Sequence, residues 1–125
     1  MRPRVLLADD EFHIRAMMKA VIKTMGYDIA AEAMNGQEAI DRFKELKPDI
    51  TLLDINMPVK TGTEALKEII DAQPDACVIM LTSVSDLASV QECADCGAAN
   101  YIRKDTPITE MKTCIAETWQ AHKSE

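Results

Sequence analysis

Apolar residues along this chain alternate between two periods. The first is a short unbroken run, Val5-Leu6-Leu7-Ala8, flanked by charge on both sides. A run this short and uniform predicts a strand buried on both faces. It gives way to Ile14, Met17, Met18, Val21, Ile22 and Met25, the spacing of one helix face. Gly26 stands where a glycine ends a helix. A second strand with some alternation is predicted over 27–33, and Asn35 then caps a second helix with Glu38 as its capping-box partner. That helix turns Ala39, Ile40, Phe43 and Leu46 inward and stops before Pro48.

The same alternation continues to the end. Residues 50–53 form a third strand, apolar except for Thr51, and Thr61-Gly62 leads into a helix carrying Leu66, Ile69 and Ile70 that ends before Pro74. Residues 76–81 form a fourth strand, apolar throughout. Ser85 or Asp86 caps a fourth helix expected to run to Gly97, and 98–102 form a short fifth strand. Thr106 is expected as an N-cap with Pro107 at the first helical position. Ile108, Met111, Ile115 and Trp119 stripe the last helix, with a polar, frayed tail from His122. Five mostly apolar strands alternating with five helices predict an α/β fold: a doubly wound parallel sheet covered on both faces, with right-handed crossovers. The chain shows no internal repeat, low-complexity segment or linker.

Composition narrows the picture. A length of 125 residues suits one domain over 1–125 with a substantial core. The net charge of −7 argues against nucleic acid as the main partner, since a phosphate backbone calls for clustered Lys and Arg. No apolar run approaches the roughly 20 residues of a membrane span. Only four apolar residues separate Met1-Arg2-Pro3-Arg4 from Asp9, too few for a signal peptide. The expected compartment is the cytoplasm. Cys93 and Cys96 form a C-x-x-C, but inside a predicted helix and without a second such pair, so the four cysteines read as reduced thiols rather than a zinc or redox site.

The chemistry lies where the strands end. Asp9-Asp10 follows the first run, Asp54 closes the third and leads into Asn56-Met57-Pro58, Thr82-Ser83 closes the fourth, and Lys104 follows the fifth. In a parallel sheet these four signals share one edge. In open α/β sheets that edge holds the site, at the point where strand order reverses. Three neighbouring carboxylates repel one another and raise one another's pKa values. A hard divalent cation relieves the repulsion, and Mg2+ favours a few carboxylates, waters and a phosphate.

In this ordered set the chain resembles the receiver domain of bacterial two-component response regulators, over essentially its whole length. Asp9-Asp10 resembles the family's acidic pair, Asp54 its phosphoacceptor, and Asn56-Met57-Pro58 with Gly62 the loop that follows. Thr82 fits the switch hydroxyl, Ser83 the small neighbour, Tyr101 the switch aromatic and Lys104 the site lysine. The resemblance implies a flavodoxin-like sheet of order 2-1-3-4-5. It implies that Mg2+ is held by Asp10, Asp54 and the Asn56 carbonyl, with Asp9 acting through water. Asp54 would take a phosphoryl group from a histidine kinase or a small donor such as acetyl phosphate. Lys104, Thr82 and backbone N–H groups, Ser83's among them, would bind the phosphoryl oxygens. Thr82 and Tyr101 would then switch the face made by helix four, strand five and helix five. Such a protein is a signalling switch that catalyses only its own phosphorylation and dephosphorylation. With no output domain attached, it would act on a partner: a flagellar switch protein, a phosphatase or a histidine phosphotransfer protein. Nucleic-acid contact and membrane insertion are not expected.

Two positions depart from the common pattern. Asp105 stands after the lysine, where many receivers have Pro, which predicts a trans 104–105 bond or a strained cis one. Val84, two past the switch Thr, cannot hydrogen-bond the water that attacks a phosphoaspartate, so slower self-dephosphorylation than in a Val84→Glu variant is expected. Alternatives weigh less. A flavodoxin-like cofactor binder would not place Ala8-Asp9-Asp10-Glu11 against a phosphate, and a haloacid-dehalogenase-type phosphatase normally has an Asp where this chain has Asn56. A non-phosphorylated pseudo-receiver acting as an interaction module would not need every reactive position filled. His13 is expected to be solvated, Trp119 to be a packing residue, and Arg15 and Arg103 to be surface charges.

Overall fold

The computed structural model describes residues 2–124. Five strands, β1 (Arg4–Ala8), β2 (Asp28–Ala33), β3 (Ile50–Asp54), β4 (Cys77–Thr82) and β5 (Asn100–Arg103), pair in parallel in the order β2-β1-β3-β4-β5. The helices are α1 (Phe12–Thr24), α2 (Gly36–Leu46), α3 (Gly62–Ala72), α4 (Val90–Asp95) and α5 (Ile108–Lys123), with a 3-10 helix over Val84–Ser89 leading into α4. The doubly wound α/β arrangement expected from the apolar periods is what forms.

Side-chain alternation along the strands divides the core in two. Val5, Leu7, Leu52, Ile79 and Leu81 face Met18, Val21 and Ile22 of α1 and Met111 and Ile115 of α5. Leu6, Leu53, Val78 and Met80 face Ile40 and Phe43 of α2, Leu66 and Ile69 of α3, and Cys93 of α4. Burying each of these large side chains is worth about 1.5–3 kcal/mol. β3 is buried along its whole length, which fixes Asp54 at the centre of the sheet edge.

The helix ends follow their local chemistry. Gly26 adopts φ +79° just past α1, as a closing glycine should. Asn35 accepts from the Glu38 N–H, while the Glu38 carboxylate reaches the N–H of Met34 rather than that of Asn35. Thr61 and Glu64 form a full reciprocal capping box at α3.

Several expectations need correction, the first being the fifth strand, which runs Asn100–Arg103 rather than 98–102. The fourth helix is not continuous from 85 to 97, because its first half is 3-10. The hydroxyl of Ser83 bonds the side chains of Ser85 and Asp86 instead of capping an N–H, and no residue of that turn is buried to hold it against the sheet. α5 begins one residue late, with Pro107 in the extended cap position, and Ile108 is 48 % exposed rather than part of the inward stripe. His122 belongs to α5, where it stacks on Trp119 at 5.9 Å. Arg15 is buried, as described below. Trp119 is partly buried against the α1–α5 side of the core. No peptide bond is cis among the described residues, so the Lys104–Asp105 bond is trans.

Two glycines let main chain pass at close range. A Cβ on Gly62 would lie 1.9 Å from the Asp54 carbonyl oxygen, and one on Gly36 would lie 2.2 Å from the Lys60 carbonyl oxygen. Instead the Gly62 N–H donates to the Ile55 carbonyl at 2.7 Å and the Gly36 N–H to the Lys60 carbonyl at 3.0 Å. The loop between β3 and α3 is therefore tied both to its own strand and to the start of α2.

Candidate functional site

Strands β1 and β3 are neighbours in the sheet but belong to chain segments wound in opposite directions from it, and the crevice between their carboxyl ends is where such sheets bind ligands. Asp9 and Asp10 follow β1 there, and Asp54 ends β3 beside them. One carboxylate oxygen from each of the three lies within 4.8 Å of the others. Asp9 and Asp54 are buried, whereas Asp10 opens to solvent.

Lys104, carried by the end of β5 and by a 2.8 Å bond from its N–H to the Thr82 carbonyl, reaches into the cluster. Its ammonium lies 2.9 Å from Asp9 Oδ2, 3.1 Å from Asp54 Oδ1 and 3.2 Å from Glu11 Oε1. The approach to Glu11 has hydrogen-bond directionality. The approaches to Asp9 Oδ2 and Asp54 Oδ1 are ion pairs without it, so both buried oxygens lack an aligned donor. Burial pushes the Asp54 carboxyl up to about 7, with the Asp9 charge adding to the rise and Lys104 and the Asn56 N–H opposing it. Burial alone would lower the Lys104 ammonium, but its contacts with Asp9 and Asp54 more than reverse this and raise it. The cluster thus holds more negative charge than one ammonium offsets. An all-oxygen donor set of three carboxylates whose charge one ammonium does not balance fits a hard divalent cation.

The remaining predicted residues separate into two groups. Asn56 and Ser83 line a cavity of about 150 Å3 with Asp10, Asp54 and Lys104. Thr82 is fully buried at the end of β4 and donates its hydroxyl to the Ser83 carbonyl at 2.9 Å. Tyr101 stands apart on β5, 44 % exposed, beside a second cavity of about 290 Å3 lined by Met80, Val90 and Cys93. The structure therefore gathers the carboxylates, Asn56, Ser83 and Lys104 at one pocket and leaves Tyr101 on the flank.

Three site neighbours were not assigned to the site from the sequence. Arg15 donates to the Asp9 carbonyl at 2.7 Å and to Glu32 at 3.2 Å, which clamps the acidic pair from behind. The signal was present, since Arg15, Met18 and Ile22 lie three and seven positions apart on one helix stripe. Glu11 contacts Lys104, and Asp86 lines the pocket. Neither proximity has a signature in local sequence. Arg103 pairs with Asp105 at the surface, and His13 is exposed near Glu11. Among the described residues, the acidic trio is the sole cluster of potential metal ligands, and all four cysteines are free thiols.

A doubly wound sheet with an acidic trio and a lysine at its strand-order reversal is the architecture of response regulator receiver domains. The sequence profile described as "Response regulator receiver domain" matches residues 5–116, and the chain belongs to that family. It is CheY-like. The chemotaxis protein CheY of Thermotoga maritima is 43% identical over 104 residues, covering 83% of this chain and 87% of that protein. Protein CcdB of Bacillus subtilis is 39% identical over 113 residues, covering 90% and 92%. Among solved structures, the response regulator domain of Thermotoga maritima CheB superposes with a TM-score of 0.88 at 29% identity, covering 100% of this chain and 98% of that one. Receiver domains bind Mg2+ at an acidic pocket and interact with histidine kinases and downstream targets.

Proposed function

We propose that residues 1–125 form one receiver unit in which Asp54 accepts a phosphoryl group from a sensor histidine kinase, and that this event switches binding to a downstream protein. The observation that carries this reading is the placement of the Lys104 ammonium between buried oxygens of Asp9 and Asp54, with Asp10 completing the oxygen cluster. The Asp54 carboxylate attacks phosphorus, its O–P bond forms as the donor's N–P bond breaks, and the imidazole leaves with the electron pair. Lys104 pairs with a phosphoryl oxygen, and the Ser83 N–H and a reoriented Thr82 hydroxyl bind the others. Asp10, Asp54 and the Asn56 carbonyl would hold Mg2+, with Asp9 acting through water. When bound, the ion supplies the charge neutralisation that lets an anionic nucleophile meet an anionic donor.

The output follows from Thr82 and Tyr101. Thr82 now spends its hydroxyl on the Ser83 carbonyl and Tyr101 lies outward, as expected of a resting switch. Turning Thr82 toward the phosphoryl group frees space for Tyr101 and remodels the α4–β5–α5 face. The chain catalyses only its own phosphorylation and dephosphorylation. The CheY names among its relatives favour a chemotaxis-type target, a flagellar switch protein or a phosphatase, over a phosphotransfer protein.

Intact-mass measurement after incubation with acetyl phosphate tests the reading, with and without Mg2+ and alongside Asp54→Ala. One phosphoryl adduct that requires both the metal and Asp54 is expected. Absence of an adduct, with no response to beryllofluoride, would overturn it in favour of a constitutive pseudo-receiver.

A further inference from the structure

The turn after β4 is held in an unusual way. No residue of its 3-10 helix is fully buried, and its side-chain hydrogen bonds gather at one residue. That residue is Ser83. The Ser83 carbonyl accepts from the Thr82 hydroxyl at 2.9 Å and from the Asp86 N–H at 3.1 Å. The Ser83 hydroxyl is shared with Ser85 at 2.9 Å and donated to Asp86 Oδ2, also at 2.9 Å. Asp86 thus grips Ser83 through both its N–H and its carboxylate, while the Thr82 hydroxyl is engaged by the Ser83 carbonyl.

Asp86 also lines the same cavity of about 150 Å3 as Asp54, Asn56 and Lys104. With Asp9, Asp10, Glu11 and Asp54 it brings a fifth carboxylate to a site with one ammonium, because Arg15 is spent behind the cluster on Glu32 and the Asp9 carbonyl. A tetrahedral anion built on Asp54 would sit near a carboxylate of its own sign, beside a Ser83 whose hydroxyl and carbonyl Asp86 already holds.

We propose that Asp86 is a restraining residue: by holding the Ser83 hydroxyl and placing negative charge on the pocket rim, it weakens capture of a phosphoryl group at Asp54. It acts through Ser83 and through its field, and it is not a catalytic residue. The proposal rests on the phosphoacceptor reading above and adds a regulator to that site. It also gives Asp86 a role that the cap of a short helix would not have. A cap matters for stability alone, whereas a restraint matters for the affinity of a phosphoryl group.

The test is titration of the full chain with beryllofluoride in excess Mg2+, followed by calorimetry, for wild type, Asp86→Asn and Asp86→Ala. Asp86→Asn keeps an acceptor for Ser83 and removes the charge, while Asp86→Ala removes both. Asp86→Asn is expected to bind about 3- to 10-fold tighter than wild type, with the gain shrinking as salt rises. Asp86→Ala should gain at least as much. Three folded proteins that bind equally, or variants that bind more weakly than wild type, would overturn the restraint and leave the phosphoacceptor reading standing. No binding by any of the three, with native circular dichroism, would remove both.

Discussion

Replacing Asp54 with Asn should stabilise the protein in the absence of divalent cations, by an amount that depends on pH. Burial and the Asp9 charge hold the Asp54 carboxyl at about 7, against an ordinary value of 3.8. A carboxyl raised in the native state binds its proton more tightly there than in the unfolded chain. The associated stability is complete below the unfolded value and is lost as pH rises toward about 7. Above both values the full difference corresponds to roughly 4 kcal/mol of lost stability. Asp54→Asn removes that loss but also takes one anionic partner from Lys104, which keeps Asp9 at 2.9 Å and Glu11 at 3.2 Å. The net gain expected near pH 8 is about 2–4 kcal/mol, falling below about 1 kcal/mol near pH 4. Urea denaturation of both proteins in chelator, at several pH values between these limits, measures it. Added Mg2+ should narrow the gap by stabilising the wild type alone. A variant no more stable than wild type near pH 8, or an advantage that does not change with pH, would refute the reasoning.

Other perturbations act through geometry. Gly62→Ala drives a Cβ to 1.9 Å from the Asp54 carbonyl oxygen. It should cost about 3 kcal/mol or more in urea denaturation, or shift the strand end enough to abolish the Mg2+ response. Arg15→Met leaves the Asp9 carbonyl and Glu32 without their buried donor. A loss of about 1–3 kcal/mol in the same assay is expected. Val84 is 61 % exposed, two residues past Thr82, and offers no hydrogen bond to an attacking water. Val84→Glu should shorten the life of the acetyl-phosphate adduct, followed by intact mass, and equal decay in the two proteins would count against this.

The fold was legible because its signals are one-dimensional. Short apolar runs marked β1, β3 (broken only by Thr51) and β4, and the stripe from Ile14 to Met25 marked α1, since burial on two faces or one leaves a fixed spacing. The site was legible for a related reason, since a parallel sheet delivers every strand end to one edge. What failed were features set by tertiary competition. Ser83 and Asp86 satisfy each other rather than starting an α-helix, and no local propensity records that choice. Ile108 fits the inward spacing of α5 but falls on its first turn, beyond the reach of the core. Arg15 looked like a solvated charge because its partners, the Asp9 carbonyl and Glu32, come from the backbone and from a strand seventeen residues away.

The segment between Asp54 and α3 has its ends sewn to main chain. The Gly62 N–H meets the Ile55 carbonyl, and the Gly36 N–H meets the carbonyl of Lys60. Most surface connections absorb an extra residue with little cost. This one has little slack at its ends, since an insertion beside Ile55 or between Lys60 and Gly62 strains a tie that holds the end of β3 or the start of α2. Only its exposed tip at Pro58 and Val59 is free to lengthen. Other changes in chain length between related proteins, and sites for engineered tags, belong at the opposite edge of the sheet, for instance in the turn between α3 and β4.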